Sequence, residues 1–411
     1  MAAAVQIEPV GTEPMTRAET TAVRFAPELE LLLACSQPTS GRDLDLSTML
    51  ALPLNWEIVF RLASHHRLLP ALHAALHGRD DIPASIRSAI DARFQNHERR
   101  VLRFSAELAR IWRQFEQHGI SVLAHKGAAL GQLLYGDPAM RQFGDLDFLV
   151  RAADVSRTRS ALEELGYVPK IQLSPGQEKE YLRSGYEHVF GLNAERNLVE
   201  AQWQIVPRFY AIDFDMESLF ARSVGLDLDG LRLRTLGRED LLLVLCVHAA
   251  KHDWAQLGML RDIATLAGLD LDWNWIEAQT HRLGIAKILA VSLSLAGSLL
   301  SLSLDLAALL SLQKEIRGAV KIASAVQRRT IASVETDTES LSYFHAFMHL
   351  RERWPDRIRM AWRLATTSSV GEWQAVRIPD SLFSLYRGVR FFRLLKRFCL
   401  HAPRHPASPF E

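Results

Sequence analysis

The sequence predicts an α+β chain in which a small strand-and-helix unit sits between two helical regions. Three observations carry this. Short apolar runs bounded by turn residues cluster between residues 119 and 207. Apolar residues at helical spacing fill the chain before residue 118 and again from Gly237. Glycines stand just past the ends of the patterned segments, at Gly119 and Gly166, where helices commonly stop. With 411 residues, 48% of them hydrophobic, there is ample material for a sizeable core and two or three subdomains.

Residues 1–25 carry acids, Thr and Pro without an apolar run, and read as a flexible N-terminus rather than a signal peptide. Residues 26–118 read as a helical N-terminal region. Within it, "LNWEIVFRLASHHRLLPALHAAL" spaces Ile58, Leu62 and Leu69 for one helix face, and a long helix runs roughly from Ser85 to His118. The adjacent His65 and His66 do not share a face and read as a surface pair.

Residues 119–236 hold the α/β core. "ISVLA" is a short strand, "AALGQLLY" a short helix closed by Gly136-Asp137-Pro138, and "DLDFLV" a second strand. "ADVSRTRSALEELGY" is the next helix. "HVFGLN" and "LVEAQWQIV" are two further strands joined by a turn at residues 194–197. Residues 237–312 form a helical subdomain. Its uncharged stretch from Ile288 to Leu304 is studded with serines and reads as a buried helix followed by a turn, not a membrane span. Residues 313–411 are mostly helical and basic, ending in an irregular tail with Pro403, Pro406 and Pro409.

Acidic and basic residues nearly cancel, at a formal net charge of +1, so nothing calls for a nucleic-acid partner. Cys35, Cys246 and Cys399 are far apart and form no CxxC pair, which fits a reduced, cytoplasmic compartment.

The chemistry concentrates in "AHKGAALGQLLYGDPAMRQFGDLDFLV". Alternate residues of a strand share a face, so Asp145 and Asp147 point one way while Leu146 and Phe148 point into the core. Two carboxylates side by side repel unless a cation lies between them or one is protonated. Hard oxygen ligands in small number suit Mg²⁺, with Mn²⁺ as the alternative. The turn at Lys126-Gly127 opens a helix toward which a phosphate can be drawn, and Arg141 adds a cation. A third carboxylate, Glu200, lies on a later apolar strand, with Gln202 and Gln204 expected on its face.

This pattern resembles the uncharacterised nucleotidyltransferase family of the polymerase-beta-like superfamily. The resemblance rests on "LAHKGAALGQLLYGDPAMRQFGDLDFLV", "LVEAQW" and "LLLVLCVHAAKHDWAQLGMLRDIATL", and extends more loosely from about Leu31 to Lys396. It implies a compact mixed sheet with helices on one side. It further implies metal binding at Asp145 and Asp147, with Glu200 as metal ligand or general base for the attacking hydroxyl. Two departures stand out. The superfamily's usual Gly-Ser turn is Lys126-Gly127 here, and the Glu-x-His-Trp of relatives is Glu200-Ala201-Gln202-Trp203. Glutamine hydrogen-bonds but carries no proton at neutral pH.

Further candidates surround this motif. His248 and His252, at i and i+4, have the spacing of a metal pair but no HExxH glutamate. The resemblance gives Lys251 and His252 another role, contact with nucleotide or acceptor. His188 precedes a strand and could face the same cleft. In "SLYRGVRFFRLLKRFCLH" the cations Arg387, Arg390, Arg393, Lys396 and Arg397 oppose Leu385, Val389, Phe392 and Leu395. The favoured arrangement packs the apolar side on the chain and leaves the basic side in solvent. Weak peripheral contact with an anionic membrane is the alternative.

The expected function is transfer of an NMP from an NTP to a hydroxyl or phosphate acceptor with Mg²⁺. The acceptor is a small molecule, glycan or peptide, and the resemblance suggests polysaccharide or peptide biosynthesis. Two other classes compete: an Asp-x-Asp glycosyltransferase, and a non-catalytic nucleotide-binding or scaffold protein.

Overall fold

The structure is a computed structural model that describes residues 25–37, 46–192, 197–303, 313–333, 336–338, 340–376 and 378–396. The expectations for the first 24 residues, the turn at 194–196, Arg397, Cys399 and the proline-bearing tail lie outside the described residues. The architecture is α+β, with a small mixed sheet and helices before and after it in the chain.

Five strands form the main sheet: β1 (Val122–Ala124), β2 (Asp145–Val150), β3 (Val168–Pro169), β4 (Glu187–Leu192) and β5 (Asn197–Gln202), in the order β1-β2-β5-β4-β3. β2 runs antiparallel to β1 and parallel to β5, while β4 runs antiparallel to β5 and β3. A separate hairpin pairs β6 (Val224–Leu228) with β7 (Leu231–Thr235).

The back of β2 and β5 is apolar. Leu146, Phe148 and Val150 of β2 and Val199 and Ala201 of β5 are buried there. They meet Phe104, Leu108, Ile111 and Phe115 of the long helix Ala84–Gln117. Phe148 meets Phe115 edge-on, ring centroids 5.3 Å apart. The helix stops where Gly119 takes a φ of +61°, a region that glycine enters without a Cβ penalty.

The front of the sheet changes character along β2. Leu149 is buried against Leu123 and Leu130 in a second core. That core joins the helices Pro27–Cys35, Trp56–His65 and Leu69–Leu76 to Arg238–Lys251, Leu257–Ala267 and Ala286–Leu300. The same face therefore packs on helices at Leu149 and turns polar at Asp147 and Asp145. The serine-studded apolar stretch is the buried helix Ala286–Leu300, ended by Ser301 in the left-handed region. No helix among the described residues is long and apolar enough to cross a membrane. Cys35 and Cys246 are buried.

Helices Gln313–Ile331, Leu341–Leu350, Trp354–Thr366, Val370–Ala375 and Tyr386–Leu395 follow. The last of these departs in part from the expected orientation: Val389 is half-buried and Arg387 and Lys396 are exposed, as expected, but other residues are not so placed. Leu385, Phe392 and Leu395 are exposed, Phe392 at 69%. Arg390 and Arg393 instead turn inward to the buried carboxylate of Glu372, at 3.4 and 2.8 Å. The physical reason is Glu372 itself. It is fixed as the capping-box residue of Val370–Ala375, accepting from the N–H and hydroxyl of Ser369 at 2.7 Å each. A buried carboxylate needs paired cations, and that need outweighs burial of one apolar stripe.

The core behind the sheet predicts a large cost for truncation at its centre. Phe148→Ala should destabilise the chain by about 3–5 kcal/mol, the range for phenylalanine-to-alanine changes in packed cores. The shift in urea midpoint at unchanged slope measures it.

Candidate active site

The register of β2 and β5 assembles the site. Asp147 lies opposite Glu200 on the neighbouring parallel strand, and Leu149 opposite Gln202. On the other side of β5, Val189 lies opposite Glu200 and Glu187 opposite Gln202. Since alternate residues share a face, Asp145, Asp147, Glu200, Gln202 and Glu187 all point to the front of the sheet. His188 falls on the opposite face. It sits 2.9 Å from Glu178 and packs on Tyr181 and Trp203, so it does not serve the front.

A cleft of about 500 Å³ lies over this face. Asp145, Asp147 and Glu200 line it, facing Arg67, Lys126, Arg141 and Lys251. Like charges on a half-buried face must be compensated, and two groups do so. The Lys126 ammonium donates to Asp147 Oδ1 at 2.9 Å. The Gln202 amide donates to Asp147 Oδ1 at 3.0 Å and to Glu200 Oε2 at 2.9 Å, and its nitrogen lies 3.4 Å from Glu187 Oε2. At position 202 an amide thus bridges two carboxylates and lies beside a third.

The proton affinities follow. Burial pushes Asp147 up, but Lys126 and its other neighbours pull it further down, to about 2. Burial and the charges of Asp147 and Glu187 push Glu200 up to about 8. Burial and Asp147 also raise Asp145, and burial raises Glu187. Asp147 stays ionised against the lysine while Glu200 holds its proton to near-neutral pH, the usual division between acids sharing a site. Burial opposes the charge on Lys126, and Asp147 more than restores it.

The other predicted residues divide. Arg141 lines the cleft, with its Nε donating to Asp262 Oδ2 at 2.8 Å. Tyr135 donates to the other oxygen of Asp262 at 2.8 Å. Lys251 and His252 line the cleft, as does His248. Burial and neighbouring cations hold His252 near 3, and thus neutral. Gly127 does not line the cleft. It is buried at the start of the helix Gly127–Tyr135 with a φ of +57°, a conformation that lets the chain turn sharply out of β1 and carry Lys126 to the carboxylates.

Three participants were not anticipated. Arg67 follows the helix Trp56–His65 in a left-handed conformation (φ 57°). Its loop is pinned where the Gly258 N–H donates to the His66 carbonyl at 2.9 Å, an approach in which any Cβ at Gly258 would lie 2.9 Å from that oxygen. Tyr186 lies in the cleft wall with the Lys251 ammonium 5.0 Å from its ring centroid. Glu187 arrives only through the pairing of β4 with β5. A short polar run before a strand, "SGYEHVF", is the one signal that could have drawn attention to these last two.

A family model for uncharacterised nucleotidyltransferases matches residues 53–301, more than half of the chain. The chain belongs to this family. No curated protein and no solved structure matches it. The nucleotidyltransferase family segment contains the whole carboxylate face and its cations Arg67, Lys126, Arg141 and Lys251.

The oxygens of Asp145, Asp147 and Glu200 stand apart around Lys126 and Gln202. Among the described residues, only His73, His77 and Asp91 bring three ligand atoms within 4.8 Å of one another. That trio joins the helices Leu69–Leu76 and Ala84–Gln117 through His–Asp contacts of 3.2 and 3.3 Å, away from the cleft wall.

The Lys126–Asp147 pair is buried on both sides, so removing one partner strands the other's charge. Lys126→Met should cost about 3–5 kcal/mol by urea unfolding in EDTA. A loss under about 1 kcal/mol, typical of solvated pairs, would show that water reaches Asp147 freely.

Proposed function

We propose that this nucleotidyltransferase transfers an NMP from an NTP to a hydroxyl or phosphate acceptor, using a divalent cation held by Asp145, Asp147 and Glu200. The observation that carries the reading is the parallel register setting Asp147 beside Glu200 on a face ringed by Arg67, Lys126, Arg141 and Lys251. Carboxylates gathered under a shell of cations suit a substrate that brings both metal and phosphate.

The donor set fits Mg²⁺, or Mn²⁺ in its place: hard oxygens, few in number, with a lysine ammonium providing the counter-charge on Asp147. When bound, the cation supplies neutralisation of the phosphate charge that develops in the transition state. The chain's own residues do the rest. Arg67 and Arg141 hold the triphosphate, and Lys126 is released from Asp147 to a phosphate oxygen. Lys251 and His252 contact nucleotide or acceptor at the open end. Glu200 accepts the proton of the attacking hydroxyl as its oxygen bonds the α-phosphorus, and pyrophosphate leaves with the electron pair of the broken P–O bond. Gln202 has no proton to exchange. Its amide orients Glu200 and Asp147 by the two hydrogen bonds it donates.

An Asp-x-Asp glycosyltransferase would need a sugar-nucleotide site beside the motif, and membership of the nucleotidyltransferase family speaks against it. A non-catalytic nucleotide binder is separated by experiment. Wild type incubated with radiolabelled NTPs, Mg²⁺ and cell extract should label an acceptor. Asp145→Asn/Asp147→Asn should lose labelling by about 10³-fold or more, as expected when charge stabilisation at the reacting phosphate is removed. Equal labelling by both proteins sinks the site. Mg²⁺-dependent nucleotide binding with no labelling under any NTP supports the non-catalytic reading.

The raised Glu200 gives a second check. A carboxyl whose folded value is near 8 instead of 4.5 stabilises the metal-free protein below its unfolded value, and that contribution is lost as pH rises through 8. Cation binding at about pH 7 must then expel protons, and at about pH 9 it need not. Calorimetry of Mg²⁺ binding in buffers of different ionisation heat should show net proton release at the lower pH that fades at the higher one. Release equal at both would contradict a protonated Glu200.

A further inference from the structure

A second chamber, about 620 Å³, opens beside the cleft. The two share Tyr186, Lys251, His252 and Thr338 in their walls, so they meet along one partition. The inner wall of the second chamber belongs to the nucleotidyltransferase core, through Tyr181, Ser184 and Tyr210. Its outer wall does not. Phe344, Ser368, Ser369, Glu372, Arg390 and Arg393 all lie beyond the family segment that ends at residue 301.

The chemistry of this outer wall is specific. Arg390 and Arg393 converge on Glu372, whose side chain is 2% exposed. Gly371 allows Arg393 to lie against the backbone, since a Cβ there would fall 2.9 Å from its guanidinium nitrogen. Two fixed guanidiniums share one carboxylate that Ser369 also occupies twice. Two guanidiniums against one carboxylate leave a net positive charge in the outer wall. Lys251 adds another cation at the partition, its ammonium 3.4 Å from the Tyr186 hydroxyl. Aromatic rings and serine hydroxyls also line the chamber.

We infer that this chamber is the acceptor site, and that the acceptor is a small hydroxyl-bearing molecule with an anionic group, phosphate or carboxylate, held by Arg390 and Arg393 while its hydroxyl passes the Tyr186–Lys251 partition toward Glu200. The inference rests on the nucleotidyltransferase reading of the cleft. The volume lies within the range of small-molecule sites, and guanidinium pairs recognise carboxylate and phosphate through matched forks of donors. The group-transfer step is the one already described: the acceptor oxygen bonds the α-phosphorus, its proton passes to Glu200, and pyrophosphate departs. The C-terminal helices then select the acceptor, and the family segment performs the transfer.

The test uses the full chain and three probes, glycerol 3-phosphate, glycerate and glycerol, with binding followed by calorimetry in the presence and absence of ATP and Mg²⁺. At least one of the two anions should bind in the millimolar range, glycerol far more weakly, and saturating ATP should not compete. The stronger of the two anions identifies the acceptor's charged group. Arg393→Ala, on a half-exposed side chain, should weaken the anion at least tenfold and leave ATP binding unchanged. Arg390→Gln should do the same, with circular dichroism confirming the fold. Equal binding of glycerol, absence of binding by either anion, competition with ATP, or indifference to both arginine substitutions would each overturn the inference. Failure of the underlying reading looks different: ATP would not bind with Mg²⁺, while the anion still would.

Discussion

Everything at the front of the sheet answers one electrostatic problem, the gathering of carboxylates on a half-buried face where water screens them poorly. Asp145, Asp147, Glu200 and Glu187 are brought together by backbone register, which no side-chain rotation can undo. Their repulsion is held in check by the Lys126 ammonium and the Gln202 amide, and by protons that Glu200 retains. The surrounding cations belong to the same solution. Arg141 is tied to Asp262 and Lys251 to Tyr186, so positive charge stays close to the face without collapsing onto it. Such an arrangement is poorly settled by itself and well matched to a ligand that delivers a cation and phosphates together.

The departures from the superfamily pattern gain a physical sense from these contacts. Lysine at 126 contacts a carboxylate that a metal would otherwise neutralise. Glutamine at 202 can donate to acids on both sides, which a carboxylate could not do at all and an imidazole only through one N–H at a time per ring edge. Both substitutions add donors to a face crowded with acceptors. They are compensations of one kind, made at two positions 76 residues apart in the chain.

The legible part of the site was the part governed by local periodicity. Asp145 and Asp147 declare themselves because a period of two puts both on one face, and Glu200 because it interrupts an apolar strand. Glu187 stayed hidden because its place depends on β5 lying between β2 and β4, a matter of strand order that no single strand encodes. Arg67 stayed hidden because a helix-to-helix loop, pinned by Gly258, turns it into the cleft from far along the chain. The C-terminal helix departs from expectation for a related reason. Its apolar stripe was visible in sequence, whereas the buried Glu372 that claims its arginines lies on a separate helix. Periodicity reports which residues share a face. It does not report which face a distant charge will need.

That last departure bears on how function is divided along the chain. The helices Val370–Ala375 and Tyr386–Leu395 expose Phe392 and Leu395 to keep Arg390 and Arg393 pointed inward. Ser369 satisfies one oxygen of the buried Glu372 carboxylate, and the two guanidiniums meet the other, so one negative charge faces two positive ones. Both arginines line the second chamber, Arg390 buried more deeply than the half-exposed Arg393, and that chamber shares part of its wall with the carboxylate cleft. Asp253 ties down an earlier part of the C-terminal region. It accepts from Arg329 of Gln313–Ile331 and from the Thr336 hydroxyl, immediately after His252 at the partition. The family segment thus carries its own attachment point for the later helices, beside the wall that the two chambers share.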